Sequence, residues 1–260
     1  MTTAVATRPM NLWRLEWLRL IRTPRALSLG AVYLAIGLIE PVATRYASAL
    51  LAHVGNGAVV HLPRPTPAQA LSSYVSEATL IGLIVLVSVA ASAYGFDARP
   101  GLAAFFRTRV PSMWQLVAPR FAAYAAAGAV AYLIGTLAAW YETHLLIGSL
   151  PVGAVAAGVL CGAVYLAFAV AVTAFAASLT KTTVASVGIT LGILLALPLL
   201  ADVHAMSNWV PSALIGAPAD LAGSPPAHHL VHFLPALGVS AVAGAVALGA
   251  AVLRLRQREI

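Results

Sequence analysis

The stretch VGAVAAGVLCGAVYLAFAVAVTAFAAS, Val152 to Ser178, carries no Asp, Glu, Lys or Arg. A helix rises about 1.5 Å per residue, so roughly 20 such residues cross a hydrocarbon core about 30 Å thick, and this stretch is long enough to cross at a tilt. It lacks the apolar and polar alternation of a barrel strand, so a helix is expected. Working outward, five more stretches share its character, at about 26–44, 75–95, 121–141, 183–201 and 233–253. The whole chain agrees: 61% of its 260 residues are apolar, 9% are charged and mean hydropathy is +0.90, whereas a soluble domain carries roughly 25% charge. The expected fold is an all-α integral membrane protein, with six transmembrane helices in one domain over residues 1–260.

Basic residues orient the spans, because Lys and Arg are retained on the cytoplasmic side of short loops. With both termini inside, the cytoplasmic segments hold Arg8, Arg14, Arg19, Arg22, Arg25, Arg99, Arg107, Arg109, Arg120, Lys181, Arg254, Arg256 and Arg258, leaving Arg45 and Arg64 outside. This distribution accounts for the net charge of +7 as a topology signal with some attraction to anionic lipid headgroups. The basic residues are scattered over four short segments with no recognition motif between them, so a nucleic-acid partner is not expected. Fourteen Arg against one Lys is the bias of a GC-rich bacterial genome, pointing to a bacterial plasma membrane. Arg14, Glu16, Arg19 and Arg22 interrupt any apolar core near the start, so no cleaved secretory signal is expected. Cys161, the single cysteine, excludes a disulfide within the chain and reads as a packing residue.

Residues 10–22 predict a helix along the membrane surface, within a cytoplasmic interface segment at 1–25. At about 100° per residue, Met10, Trp13, Trp17, Leu20 and Ile21 share one arc, while Asn11, Arg19 and Arg22 lie across from it and Glu16 flanks it. Pro24 limits continuation into the first span and turns the chain from the surface into the bilayer. Leu12 and Leu15 interrupt the polar face, which suits either a plain interfacial anchor or the docking of a soluble protein. After the second span comes GFDARPGLAAFFRTRVP, Gly95 to Pro111. Leu102, Phe105 and Phe106 have helical spacing, Asp97 stands near the N-terminal end, and Arg107 and Arg109 stand near the C-terminal end. A short cytoplasmic helix closed by Pro111 is expected, with aromatic side chains suited to a partner's groove. A positive-inside loop with incidental aromatics is the alternative.

A basic surface helix with tryptophans, a second span followed by an acidic residue, a short Gly-containing helix, a Thr-Arg-x-Pro step and a basic residue entering the third span resemble the permease subunits of type 2 ABC transporters. Residues 10–25 and 95–120 carry the resemblance, and the six-span spacing extends it over the chain. Asp97 stands where many relatives have Glu, and Arg120 where many have Lys. The resemblance implies that the surface helix and a coupling loop over 96–120 contact a separate ATPase, through Arg19, Arg22, Asp97, Leu102, Phe105, Phe106, Arg107 and Arg109. It further implies an exporter built from two ATPase subunits and a second permease, the same or a related chain, with ATP and Mg on the ATPase and no cofactor on this chain. Relatives often place broken, re-entrant helices in the segment corresponding to 202–232, for which a plain outer loop is the alternative.

The chain itself offers no catalytic constellation. Lys181 precedes Thr182, but Phe175 and Thr180 occupy the places where a phosphate-binding loop needs glycines, so this chain does not hydrolyse ATP by that route. His204, His228, His229 and His232 gather with Asp202 and Asp220 in the outer segment, and His228 and His232 are four apart, yet the acidic context of a known metal motif is missing. No metal site is expected. Glu40 and Glu77 stand near the outer ends of two spans, where Glu40 either pairs with Arg45 or snorkels to the headgroups, or marks a polar point on a substrate path together with Glu77. The small-residue pairs Gly158/Gly162 and Gly188/Gly192 let helices approach closely, within or between subunits. Two rival readings remain: a membrane-embedded enzyme using the outer histidines, and a membrane anchor or regulator of an ATPase.

Overall fold

The computed structural model describes residues 12–49, 64–95, 112–201, 206–223, 226 and 229–257. Among them 88% are helical and none is in a strand. The helices are α1 (Leu12–Arg22), α2 (Pro24–Arg45), α3 (Pro67–Tyr94), α4 (Met113–Leu146), α5 (Val152–Leu179), α6 (Thr183–Ala201), α7 (Ala213–Ala222) and α8 (Leu234–Gln257), the last entered through a 3-10 turn at Leu230–Phe233. Six of them, α2 to α6 and α8 with its 3-10 turn, are long and apolar enough to cross a membrane, so by length and composition this is a multi-pass membrane protein.

Local chemistry sets the boundaries. Thr23 adopts extended backbone, its hydroxyl donates to the Arg19 carbonyl at 2.7 Å, and Pro24 opens α2 in the first turn, where its missing N–H costs nothing. The chain turns at Pro24, as expected from the sequence. The second span begins at Pro67 rather than near 75, because Thr66 accepts a hydrogen bond from the Gln69 amide and caps a polar first turn that hydropathy alone passes over. The third runs over 113–146 rather than 121–141 for a similar reason: its first turns are amphipathic, with Leu116, Val117 and Arg120 buried and Trp114 exposed. Between Ala78 and Gly82, α3 widens into a π turn.

α5 is the central helix. It packs against α3, α4, α6, α7 and α8, and 67% of its most apolar window is buried inside the protein, against 17% for α6. The backbones of α2 and α4 approach closely. A side chain at Gly37 would strike the Gly135 carbonyl, and one at Gly135 would strike the Tyr33 carbonyl, so these glycines let the two helices touch. Around this crossing Tyr33 and Tyr132 meet edge to face and Tyr74 stacks on Tyr132, both pairs at 6.1 Å between ring centroids. Gly82 and Gly162 make room for the Tyr33 and Tyr132 rings, and the Tyr74 hydroxyl donates to the Tyr132 carbonyl at 3.1 Å.

Of the two small-residue pairs, Gly158/Gly162 makes internal contacts, with Gly158 against Pro218 of α7 and Gly162 against Tyr132. Gly188 and Gly192 on α6 face open space. Cys161 is buried and free, as expected of a packing residue. α7 is a ten-residue apolar helix, and it seats Leu214, Ala217, Pro218 and Ala222 in contact with α5 and α3.

Candidate functional site

The amphipathic pattern of α1 and the basic start of α4 meet in one buried contact. Arg120 Nε donates to Glu16 Oε1 at 2.9 Å, with only 3% of Glu16 and 1% of Arg120 exposed. Glu16 and Leu20, four residues apart, form the inward stripe of α1. Trp13, Trp17 and Ile21 point away from the protein, where an apolar arc suits lipid. Of the arc expected from the sequence, Trp13, Trp17 and Ile21 are exposed, Leu20 instead turns inward with Glu16, which the sequence pattern sets beside the arc as a flanking polar group, and Met10 lies outside the described residues. The one hint in the sequence is that Glu16 is the only acid before Glu40, in a segment otherwise rich in arginine.

Burial makes the pair consequential. Desolvating two charges is costly, and their attraction offsets that cost only while both remain, so losing either partner strands a charge in the interior. The pair sits where four elements meet. Arg25, at the start of α2, donates to the Tyr124 hydroxyl of α4 at 2.8 Å. Tyr94, the last residue of α3, is buried with no hydrogen-bond partner for its hydroxyl among the described residues, and lies within electrostatic range of Arg120 and Glu16. Tyr94 and Arg120 thus flank the 96–111 segment on its two sides, and Glu16 interacts with both.

Of the residues predicted to touch an ATPase, Arg19 and Arg22 occupy the last turn of α1, Arg19 half-exposed at 3.9 Å from Glu16 and Arg22 exposed. Asp97, Leu102, Phe105, Phe106, Arg107 and Arg109 lie outside the described residues. The ends of α3, α5 and α8 and the start of α6 gather around a cavity of about 10 Å³ lined by Tyr94, Ser178, Thr180, Lys181, Ser186 and Leu255. A tight turn around Lys181 joins α5 to α6: α5 stops at Leu179, Thr180 and Ser186 hydroxyls meet at 2.6 Å, and Thr182 caps α6 through the Ala185 amide. Among the described residues Arg14, Arg19, Arg22, Arg25, Arg120, Lys181, Arg254 and Arg256 belong to the segments at this end, and Arg45 and Arg64 to those at the other.

At the opposite end α7 separates two clefts. One, of about 540 Å³, is lined by Thr66, Gln69, Ser72, Ser149 and Asp220 among others; the second, of about 450 Å³, by Ser207, Asn208, Ser212, Asp220 and His232. Among the described residues no three His, Cys, Asp or Glu side chains converge as metal ligands would. His53, His61, Asp202, His204 and His228 lie outside the described residues. Glu40 and Glu77 are both half-buried and near enough to interact. No ion pair joins Glu40 to Arg45: five positions along a helix turns the second side chain by about 140°, away from the first.

No known protein family, curated protein or solved structure matches this chain.

Proposed function

We propose that the chain is the permease subunit of a type 2 ABC exporter in a bacterial plasma membrane. The observation that carries this reading is the fastening of α1, a helix outside the six spans, to the base of α4 by the buried Glu16–Arg120 pair. A surface helix that only anchored the chain would need no such attachment. One tied to the element that follows the 96–111 segment moves with it, as a lever for an external motor requires. In this reading α1 is the interface helix and 96–120 the coupling loop, both in the cytoplasm together with the termini. Two ATPase subunits bearing ATP and Mg close against Arg19, Arg22 and the loop residues Asp97, Leu102, Phe105, Phe106, Arg107 and Arg109. A second permease, the same or a related chain, completes the pathway. α7, too short to cross and held against α5, is the re-entrant segment of 202–232, and Glu40 with Glu77 marks a polar point near the outer mouth.

The test is affinity purification of the tagged full-length chain from its own membranes. An ATPase with a phosphate-binding loop should co-purify. Phe105→Ala with Phe106→Ala should weaken the association by roughly 2 kcal/mol or more, as loss of desolvated aromatic anchors does, while Arg64→Ala, at the opposite end, should leave it unchanged. Absence of any ATPase from well-expressed, folded chain would sink the proposal.

A further inference from the structure

At the end of the protein opposite α1, α7 carries one polar side on an apolar helix. Ser212, just before its first turn, Gly216 and Asp220 stand four residues apart and so lie along one face, the face that walls the cleft of about 450 Å³. Ser207 and Asn208 from the turn before α7, with His232 and Phe233 from the 3-10 turn, close the cleft around them. A side chain begun at Gly216 would meet Asp220 Oδ2 at 3.2 Å and, among the described residues, no side chain but that one and those of its chain neighbours within 4 Å. The Asp220 carboxylate therefore leans back along α7 by about one turn. It lies over a residue that lines this cleft and not the one of about 540 Å³.

The electrostatics of the cleft have one sign. No Lys or Arg lines it among the described residues, and Asp220 stands in the last turn of α7, where the helix dipole adds negative potential and favours a cation. The far end of the same face is polar and uncharged. Ser212 is 8% exposed and its hydroxyl has no hydrogen-bond partner among the described residues, while the Ser207 hydroxyl donates to Asn208 Oδ1 at 3.1 Å. One helical turn, about 6 Å, separates the level of the carboxylate at Gly216 from that of Ser212.

We infer that this cleft binds a small hydroxylated amine, with its primary ammonium on Asp220 and its hydroxyl toward Ser212 and Asn208. Charge selects a cation, since an anion would face the carboxylate with no basic side chain beside it. Size selects a molecule over a metal ion: the volume falls within the roughly 300–1,000 Å³ of small-molecule pockets, and Asp220 and His232 are the only His, Cys, Asp or Glu among its described lining residues. Phe233 is 2% exposed and meets His232 edge to face, so no aromatic cage stands open to a quaternary ammonium. A primary ammonium brings donors for these oxygens, and a carboxylate accepts several hydrogen bonds, so a partner within the chain does not exhaust Asp220. The cleft belongs to one chain, and its occupancy requires neither an ATPase nor transport.

The experiment uses the full chain in phosphatidylcholine nanodiscs, whose lipid carries no net charge to collect amines. Binding of radiolabelled 4-aminobutan-1-ol, long enough to span one helical turn between its nitrogen and oxygen, is followed by equilibrium dialysis. The expected result is saturable binding of one probe per chain, with butan-1-ol and 4-hydroxybutyrate competing at least roughly tenfold less well than unlabelled probe, the usual effect of losing a hydrogen bond to a charged group. Asp220→Asn should weaken binding by roughly tenfold or more, and Ser212→Ala by roughly two- to tenfold. Gly216→Leu, which fills the space in front of the carboxylate, should abolish it. Thermal unfolding of each variant separates a lost site from a lost fold, and the competition series on the unaltered chain carries the test if no variant folds. Equal competition by butan-1-ol or 4-hydroxybutyrate, full binding in folded Asp220→Asn or Gly216→Leu, or no saturable binding overturns the assignment. So does displacement of the probe by one equivalent of zinc, which would give the cleft to a metal. A negative result leaves the export proposal standing, and absence of an ATPase partner leaves this site standing.

Discussion

Glu16 and Arg120 come from helices at opposite ends of a 104-residue separation, yet each is less exposed than most leucines of the chain. Removing one partner is therefore predicted to be far worse than removing both. Glu16→Ala should cost about 3–5 kcal/mol, because it leaves the guanidinium buried and uncompensated. Glu16→Leu combined with Arg120→Met should recover most of that loss, since apolar residues of similar volume carry no desolvation cost. A double-mutant cycle by thermal unfolding in detergent measures the difference, and additive losses would refute the coupling. The tyrosine cluster differs in kind: Tyr33 and Tyr165 keep buried hydroxyls with no partner among the described residues, while Tyr74 and Thr136 satisfy theirs on the Tyr132 carbonyl.

Helix α7 shows how a short element can be held without crossing anything. Pro218 lies directly over Gly158 of α5, so Gly158→Ala must push the helices apart and should cost about 1–3 kcal/mol, the usual range for overpacking. Gly188→Ala on α6, where a side chain meets open space, should change the stability of the isolated subunit by no more than about 0.5 kcal/mol. Thermal unfolding of the two variants under one condition provides the comparison, and equal losses would contradict the packing described. The spans were legible in the sequence because a run such as Val152 to Ser178 has one solution in lipid, a helix. What hydropathy could not register was polar structure at the span ends: the Thr66 cap that starts α3 early, the amphipathic first turns of α4, and the inward turn of Glu16. Nor does a small-residue spacing say whether it faces its own bundle. Gly158/Gly162 and Gly188/Gly192 read alike in sequence, and among the described residues only the first pair is occupied.

At the scale of the molecule, the described basic residues divide between the two ends as the positive-inside rule requires of a chain with its termini in the cytoplasm. In a Cys161→Ala background, Val231→Cys should therefore react with an impermeant thiol reagent added to intact cells, and Lys181→Cys should react only after the membrane is opened. Both positions are exposed, unlike Ala222, which is 2% exposed and would stay silent on either side. The reverse labelling would invert the topology. The wide turn at Ala78–Gly82 bears on how the two ends communicate. Such a turn holds one residue more than an α-helical turn, so everything before it in α3 is rotated by about 100° relative to an uninterrupted helix. Tyr74 and Glu77 lie before the turn, and Leu86, Ala90 and Tyr94 after it. The phase of the outer third of α3 is thereby decoupled from that of the inner part: deleting a single residue such as Thr79 would leave both ends of the helix helical but swing Tyr74 off the Tyr132 ring and Glu77 away from Glu40. A one-residue change of length in this span thus acts as a rotation, felt on one side of the bundle and not the other.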